Sequence, residues 1–354
     1  MKLASLIAAV TLGLSCFTAP CIAAETTLSL NIPIPPIHNR WSNAVKVWCD
    51  ELEKRTGGKM KVEAFFADSL TKMPEAFDGV KTGISDIAEC SIQITVGQFP
   101  AHEDMFTVLD PSKAYPSAVR IIHGMWKEEP KTFEEFKDVK VIAVHSHPAG
   151  EVIVTREPVA SLADLKGKKI NITGDSLVSE RVRSLGATAV SIPLADVYMA
   201  IQQGVIDGTI SDFDMLLSRR FGDVARHMTL LNCSGTSFYF VMNKDVYDGL
   251  DDDIRKVVDE LSGPWADRLF EEFWERQEFL SLQEWVDGGG VVHLLSDEDY
   301  AAADAACARG KEAWMQKMSD AGYDAEKLYH AIKKIEAENN IPWKDYKTSA
   351  YIKK

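Results

Sequence analysis

Positive charge is what this chain is shortest of: 39 Lys and Arg stand against 53 Asp and Glu, a formal net charge of −14. A surface of that sign repels phosphate backbones and acidic headgroups, which argues against nucleic acid and anionic lipid as partners. Long apolar runs are missing too. After the first two dozen residues, no stretch approaches the roughly 20 apolar residues that a membrane-crossing helix needs. There is no Gly-x-Ser-x-Gly elbow, no His-Glu-x-x-His and no phosphate-binding P-loop, so a secreted hydrolase or metalloenzyme finds no support. Cysteine is sparse and widely spaced. Of six, Cys16 and Cys21 lie near the N-terminus, and Cys49, Cys90, Cys233 and Cys307 contain no Cys-x-x-Cys pair. A zinc cluster is not expected, and buried free thiols or a single disulfide both remain open. Low-complexity tracts and short-period repeats are absent as well.

What is present begins with a leader. Lys2 supplies a positive start, Leu3 to Leu14 an apolar run, and Ala23-Ala24 a small-residue cleavage zone, so residues 1–24 read as a secretory signal. Gly13-Leu14-Ser15-Cys16 is a poor lipoprotein box, so no direct membrane anchor is expected. Removing the leader leaves roughly 330 residues, enough for two domains. With 46% hydrophobic and 26% charged residues, the composition is that of a globular protein.

The first part of the mature chain alternates strands and helices. Strands are expected at 28–32, 60–66 and 87–92, with helices at 43–54 and 74–81 between them; such a β-α-β-α-β run implies parallel strands. A second unit follows, with strands at 139–144, 152–155, 169–172, 189–192, 208–211 and 238–242 and helices at 176–185 and 196–203. Pro148-Ala149-Gly150 turns the chain between the first two of these strands. The last third is helical. Asp252 is expected to cap a helix to Leu261, Pro264 to open a longer one over 265–286, and Ser296 to open another after a strand at 291–294. The fold class is α/β, with two lobes, a cleft between them and a long C-terminal helix spanning both. Lobe I is expected over 25–147 and about 235–275, lobe II over 148–234 and about 276–354.

One stretch is specific enough to point to a family. Lys166-Gly167, Gly186-Ala187, Asp196-Val197-Tyr198, Ala200-Ile201-Gln202, Gly204 and Ile206-Asp207-Gly208 occur in order. Thr56-Gly57-Gly58-Lys59, Gly83 with Asp86, and Asn243-Lys244 are weaker echoes. The pattern resembles the solute-binding proteins of tripartite ATP-independent periplasmic (TRAP) transporters, the DctP family. The resemblance implies a periplasmic, non-enzymatic receptor without cofactor, which captures a small-molecule solute between two lobes and delivers it to integral membrane permease subunits.

Departures from that family matter more than the matches. Most members grip a substrate carboxylate with an arginine where this chain has Asn171, and many place a second arginine near Glu151. A guanidinium there would make paired hydrogen bonds to a carboxylate. Ser211 takes the place of an asparagine, and Leu194 that of an aromatic. Replacing both arginines favours a cationic or neutral polar solute, with an amine such as ethanolamine as the concrete choice. The alternative is an organic acid held by another base, for which Arg156, Arg181 and Arg183 qualify by chemistry alone, although solvated faces suit them better.

The ligand-binding candidates follow from these positions. Glu151 can pair an ammonium, or else is a solvated turn residue. Glu89 or Ser91 reaches the cleft from the end of the third strand, where ligand crevices open. Asp212, Phe213 and Asp214 set an aromatic between carboxylates, which suits an amine; helix capping by an aspartate is the competing reading. His38 and Trp41 follow the first strand and border the cleft, and Trp41 serves the core equally well. His145-Ser146-His147 puts two imidazoles on one strand face near Glu151, but no third ligand has diagnostic spacing, so no metal is expected.

Overall fold

The computed structural model describes residues 26–172 and 176–352. The leader lies outside the described residues. Two mixed sheets form the framework. The first is built from β1 (Thr26–Ile32), β2 (Met60–Phe66), β3 (Ile87–Ser91), β5 (Val139–Ser146) and β11 (Ser237–Asn243), in the order β2-β1-β3-β11-β5. As the alternating pattern requires, β1 runs parallel to both β2 and β3. Strand β11 is antiparallel to both β3 and β5.

The second sheet holds β6 (Glu151–Thr155), β7 (Lys169–Asn171), β8 (Thr188–Val190), β9 (Gly208–Ser211), β10 (His227–Ser234) and β12 (Val291–His293), in the order β12-β10-β6-β9-β7-β8. A short antiparallel pair, β4 (Lys113–Ala114) with β13 (Ile341–Pro342), lies apart.

Side-chain alternation explains how the first sheet is covered. Ala88, Cys90, Tyr239 and Val241 face one apolar core. Ile87, Phe238, Phe240 and Met242 face the other, with Trp48 and Leu52 of the helix Lys46–Arg55. The second sheet packs around Val152, Ile153, Ile170, Ile210 and Leu230.

The chain passes between the sheets three times. The first crossing, 147–150, turns through Ala149 (φ 73°) and Gly150 (φ 82°). A Cβ at Gly150 would stand 2.6 Å from the Asn232 side-chain oxygen, so the position needs glycine on both counts. The second crossing is Gly235-Thr236, between β10 and β11. The third is the helix Pro264–Asp287, opened by Pro264 behind Gly263 (φ 58°). Its buried residues Phe270 and Trp274 join the core of the first sheet. Leu282 and Trp285, two turns further on, join that of the second. One apolar face at helical spacing thus binds both lobes.

Several expectations change. The helix expected over 43–54 begins as a π-helical turn, Trp41–Val45, before the α-helix Lys46–Arg55. Asp251, not Asp252, occupies the N-cap of the helix Asp252–Glu260, and no side chain caps it. Ser296 does cap its helix, accepting from the Asp299 amide. The helices Lys311–Asp320 and Ala325–Asn339 send Trp314, Met318, Leu328 and Ile332 into the core beside Tyr239 and Val241. The C-terminal region assigned to lobe II therefore returns in part to lobe I, where it completes a core that Phe77, Ile121, Ile122 and Phe136 also line. Strand β10 and the helix Ala118–Glu128 escape the sequence reading; β10 is buried along almost its whole length and shows no alternation to read.

Candidate functional site

The strand ends and the first two crossings bring a group of polar side chains together under almost complete burial. On the first lobe, Glu89 near the end of β3 has no exposed surface. Arg40 Nε lies 3.2 Å from Glu89 Oε1, and His145 Nε2 lies 3.3 Å from the same oxygen. Arg40 is the N-cap residue of the π-helical turn Trp41–Val45, and π-turns are frequent at functional sites. Trp274 donates its indole N–H to His145 Nδ1 (3.0 Å), which leaves the Nε2 proton toward Glu89. His145 is stacked between Phe270 and Phe238, at 3.9 and 5.0 Å. The Arg40 guanidinium lies over the Phe238 ring at 4.4 Å.

These neighbours set the charges. Burial pushes the Glu89 carboxyl up, but Arg40 and His145 together outweigh it and the net shift is down. Burial lowers His145 to about 4 against the pull of Glu89. The neutral imidazole and the Arg40–Glu89 ion pair leave this end close to neutral.

The second lobe is acidic. Glu151, the first residue of β6, is 3% exposed, and its Oε1 accepts from the Thr236 hydroxyl (2.7 Å). Asp212 follows β9 and one of its oxygens accepts from the Met215 amide (2.8 Å), while the N-cap of the helix Met215–Ser218 is Asp214, whose side chain does not cap it. The other Asp212 oxygen lies 3.7 Å from His147 Nε2. Asp214 accepts from Gln277, and Glu278 accepts from the amides of Phe213 and Asp214. Among the described residues, no Lys or Arg pairs with Glu151, Asp212, Asp214 or Glu278.

Burial accordingly raises Glu151. Burial and then Asp214 push Asp212 up to about 7. Burial, with Asp212 and Asp214 nearby, drives Glu278 well above the carboxylate range. Burial lowers His147, so it adds little positive charge, and neither of its nitrogens has a hydrogen-bond partner among the described residues. Glu89 Oε1 is taken up by Arg40 and His145, and its Oε2 has no hydrogen-bond partner among the described residues.

The lobes touch at His38 and Asp214, 4.0 Å apart. Burial lowers His38 to about 4, with Arg40 acting in the same direction. Beside this contact a groove of about 1010 Å³ opens between Asn39 and Asn43 on one side, Leu217 and Ser218 on the other, and Gln277 of the long helix.

The remaining sequence candidates have structural duties. Asn171 is buried, and its side-chain oxygen accepts from the Ile192 amide (2.9 Å) while its amide reaches Thr209 (3.4 Å). Ser211 donates to the Asp212 carbonyl. The Phe213 ring lies in the core of the second lobe, edge-on to Phe279, away from the acidic group. Trp41 packs edge-on to Phe66 at 5.0 Å. Ser91 is buried beside Gln93.

Arg181 is not on a solvated face. It is buried and donates to the carbonyls of Thr107, Leu109 and Asn232, while Arg156 and Arg183 are exposed. Sequence reasoning missed Arg40, Trp274, Glu278 and Thr236. Arg40 immediately precedes Trp41 in the loop already singled out, which was the available signal.

The fold and the paired crossings are those of a two-lobed solute receptor. A family model described as bacterial extracellular solute-binding protein, family 7 (DctP), matches residues 34–317, and the chain belongs to that family. It is 27% identical over 233 residues to a solute-binding protein of Verminephrobacter eiseniae, covering 64% of this chain and 68% of that one. It is 24% identical over 309 residues to the C4-dicarboxylate-binding periplasmic protein DctP of Rhodobacter capsulatus, covering 85% and 89%. The structure matches a marine-metagenome TRAP solute-binding protein, from an unidentified microbe and specific for aromatic acid ligands, with TM-score 0.79 and 27% identity. That match covers 89% of this chain and 99% of that one. The chain is therefore a TRAP transport receptor for a small-molecule solute, with a membrane permease as its partner, and not an enzyme. Among the described residues no helix is long and apolar enough to cross a membrane, and no group of three or more His, Cys, Asp or Glu is arranged to hold a metal.

Proposed function

We propose that this receptor captures a cationic or neutral polar solute, with a small amino alcohol such as ethanolamine as the first candidate. The observation that carries this reading is the buried set Glu151, Asp212 and Asp214, which forms no ion pair with Lys or Arg among the described residues, although the charges of Arg40 and Arg219 reach Asp212 from further off. Buried carboxylates without a counter-charge are costly or are forced neutral. An ammonium brought into the cleft supplies that charge, and a carboxylate brought there adds to the repulsion. The Asn171 side chain, held by Ile192 and Thr209, supports the same reading, since it offers no cation where family members have one.

The solute bridges both lobes and favours their closed arrangement, with the crossings at 147–150 and 235–236 bending as the lobes part. Residues 1–24 direct export to the periplasm and are removed there. A second reading rests on Arg40. A buried guanidinium over an aromatic face receives a carboxylate as readily as Glu89, and the similar marine-metagenome receptor is specific for aromatic acid ligands.

A thermal-shift screen of the mature protein with matched amines, polyols and carboxylates separates the two readings. Stabilisation by amines, lost in Glu151→Gln, supports the first. Stabilisation by carboxylates alone, lost in Arg40→Gln, establishes the second and rejects the first.

A further inference from the structure

Phe238 and Trp274, together with the Glu89 carboxylate, form the kind of aromatic and acidic box that binds ammonium or guanidinium groups. The chain fills this box with its own side chain. Arg40 Cζ stands 4.4 Å from the Phe238 ring centre and 5.6 Å from that of Trp274, and Nε is 3.2 Å from Glu89 Oε1. Arg40 is only 6% exposed. Arg40 thereby neutralises Glu89 and shares its Oε1 with His145, yet Oε2 lacks a hydrogen-bond partner among the described residues. It can still accept from a neutral donor such as a hydroxyl. A second cation at the same place would meet the guanidinium. On the facing lobe, Glu151 and Asp212 form no ion pair with Lys or Arg among the described residues.

We infer that Arg40 fixes the orientation of the bound solute, holding its hydroxyl end at Glu89 and its ammonium end at Glu151 and Asp212, and so selects amino alcohols against α,ω-diamines. The inference rests on the amine reading above. Arg40 is then a specificity residue that acts as a permanent occupant of one cation subsite. The electrostatic reach of Arg40 agrees, since its charge bears on both Asp212 and His147 on the facing lobe.

The test uses the mature full chain, wild type and Arg40→Met, which keeps an unbranched side chain and removes the charge. The probes are ethanolamine with ethylenediamine, and 3-aminopropan-1-ol with 1,3-diaminopropane, titrated calorimetrically near pH 7. Wild type is expected to bind an amino alcohol and to bind the matching diamine at least tenfold more weakly. Arg40→Met is expected to narrow or reverse that ratio by at least tenfold, chiefly through a gain in diamine affinity.

Glu89→Gln provides an independent arm if Arg40→Met does not fold. It leaves Arg40 without its counter-charge, so diamine binding should weaken further and β-alanine, with a carboxylate for Arg40 and an ammonium for Glu151, should gain affinity. Amine binding by wild type with an unchanged alcohol-to-diamine ratio in Arg40→Met, or with unchanged β-alanine affinity in Glu89→Gln, overturns this inference alone. Binding of carboxylates only by wild type overturns the amine reading, and this inference with it.

Discussion

The Thr236 hydroxyl donates to Oε1 of Glu151 across 2.7 Å, and so joins the two strand crossings on which the lobes turn. Ser146 strengthens the same junction by donating to the Thr236 carbonyl (2.7 Å). The central acidic residue of the site thus stands at the foot of the first crossing and is tied to the second, where charge and lobe closure are linked.

Substituting Glu151 should therefore affect binding more than stability. Glu151→Gln keeps the shape and an acceptor for Thr236 but removes the charge. Its loss from a buried ion pair with an ammonium should cost about 2–5 kcal/mol of binding free energy. Calorimetric titration of wild type and variant with the same amine reads this directly, and equal affinities would remove Glu151 from the site. Thr236→Val should weaken binding by less, because it frees the carboxylate without discharging it.

The acidic end also makes a pH prediction whose sign is fixed. Asp212 titrates near 7 in the folded protein against an ordinary value of 3.8. The folded state holds this proton where the unfolded chain has lost it. The contribution of Asp212 to stability is therefore greatest below about pH 4 and declines as pH rises to about 7. His38 and His145, both lowered to about 4, work in the opposite direction, losing stability as pH falls from about 6.5 to 4. The clean measure is thus the melting-temperature difference, wild type minus Asp212→Asn, which should decrease from pH 5 to about pH 7 and level off above it. A flat difference would mean that Asp212 is not perturbed. Amine affinity should rise over the same range, because binding releases the proton.

Much of this architecture could be read from the residues. The alternation of Leu28, Leu30 and Ile32 and the punctuation by Gly57-Gly58 give the parallel β1–β2 pair, and Gly263-Pro264 marks the start of the long helix. Glu89, Glu151 and Asp212 could be singled out because they stand at or next to strand ends, and all three are buried there. Glu278 and Trp274 could not, since they lie on a helix far along the chain and meet the strands only through tertiary packing. Phe213 shows the opposite limit: its neighbours Asp212 and Asp214 face the polar group, while its own ring turns into the core.

All four cysteines of the described chain are free and buried. Burial raises Cys90 to about 12 and pushes Cys49 and Cys233 higher still. Native protein should react with a thiol reagent very slowly, and all four thiols of the mature chain should react on unfolding. Reductant should leave the melting temperature unchanged, and a fall would indicate a disulfide.

Arg181 should matter for stability without touching the solute. Its guanidinium holds three backbone carbonyls, at 2.7, 2.6 and 3.0 Å, from Thr107, Leu109 and Asn232. Arg181→Met strands all three and should cost about 3 kcal/mol or more in denaturant unfolding. Arg181→Lys should recover only part of this, because an ammonium lacks the planar fork. A loss below about 0.5 kcal/mol would mean that water satisfies these carbonyls equally well.

The most direct measurement is a calorimetric titration of the mature wild-type protein with ethanolamine and, separately, with glycolate, its acid counterpart. A cleft whose free charge is that of Glu151 and Asp212 should bind ethanolamine more tightly as pH rises through 7 and show no heat with glycolate. Saturable binding of glycolate with none of ethanolamine would contradict an acidic site and assign the solute to Arg40.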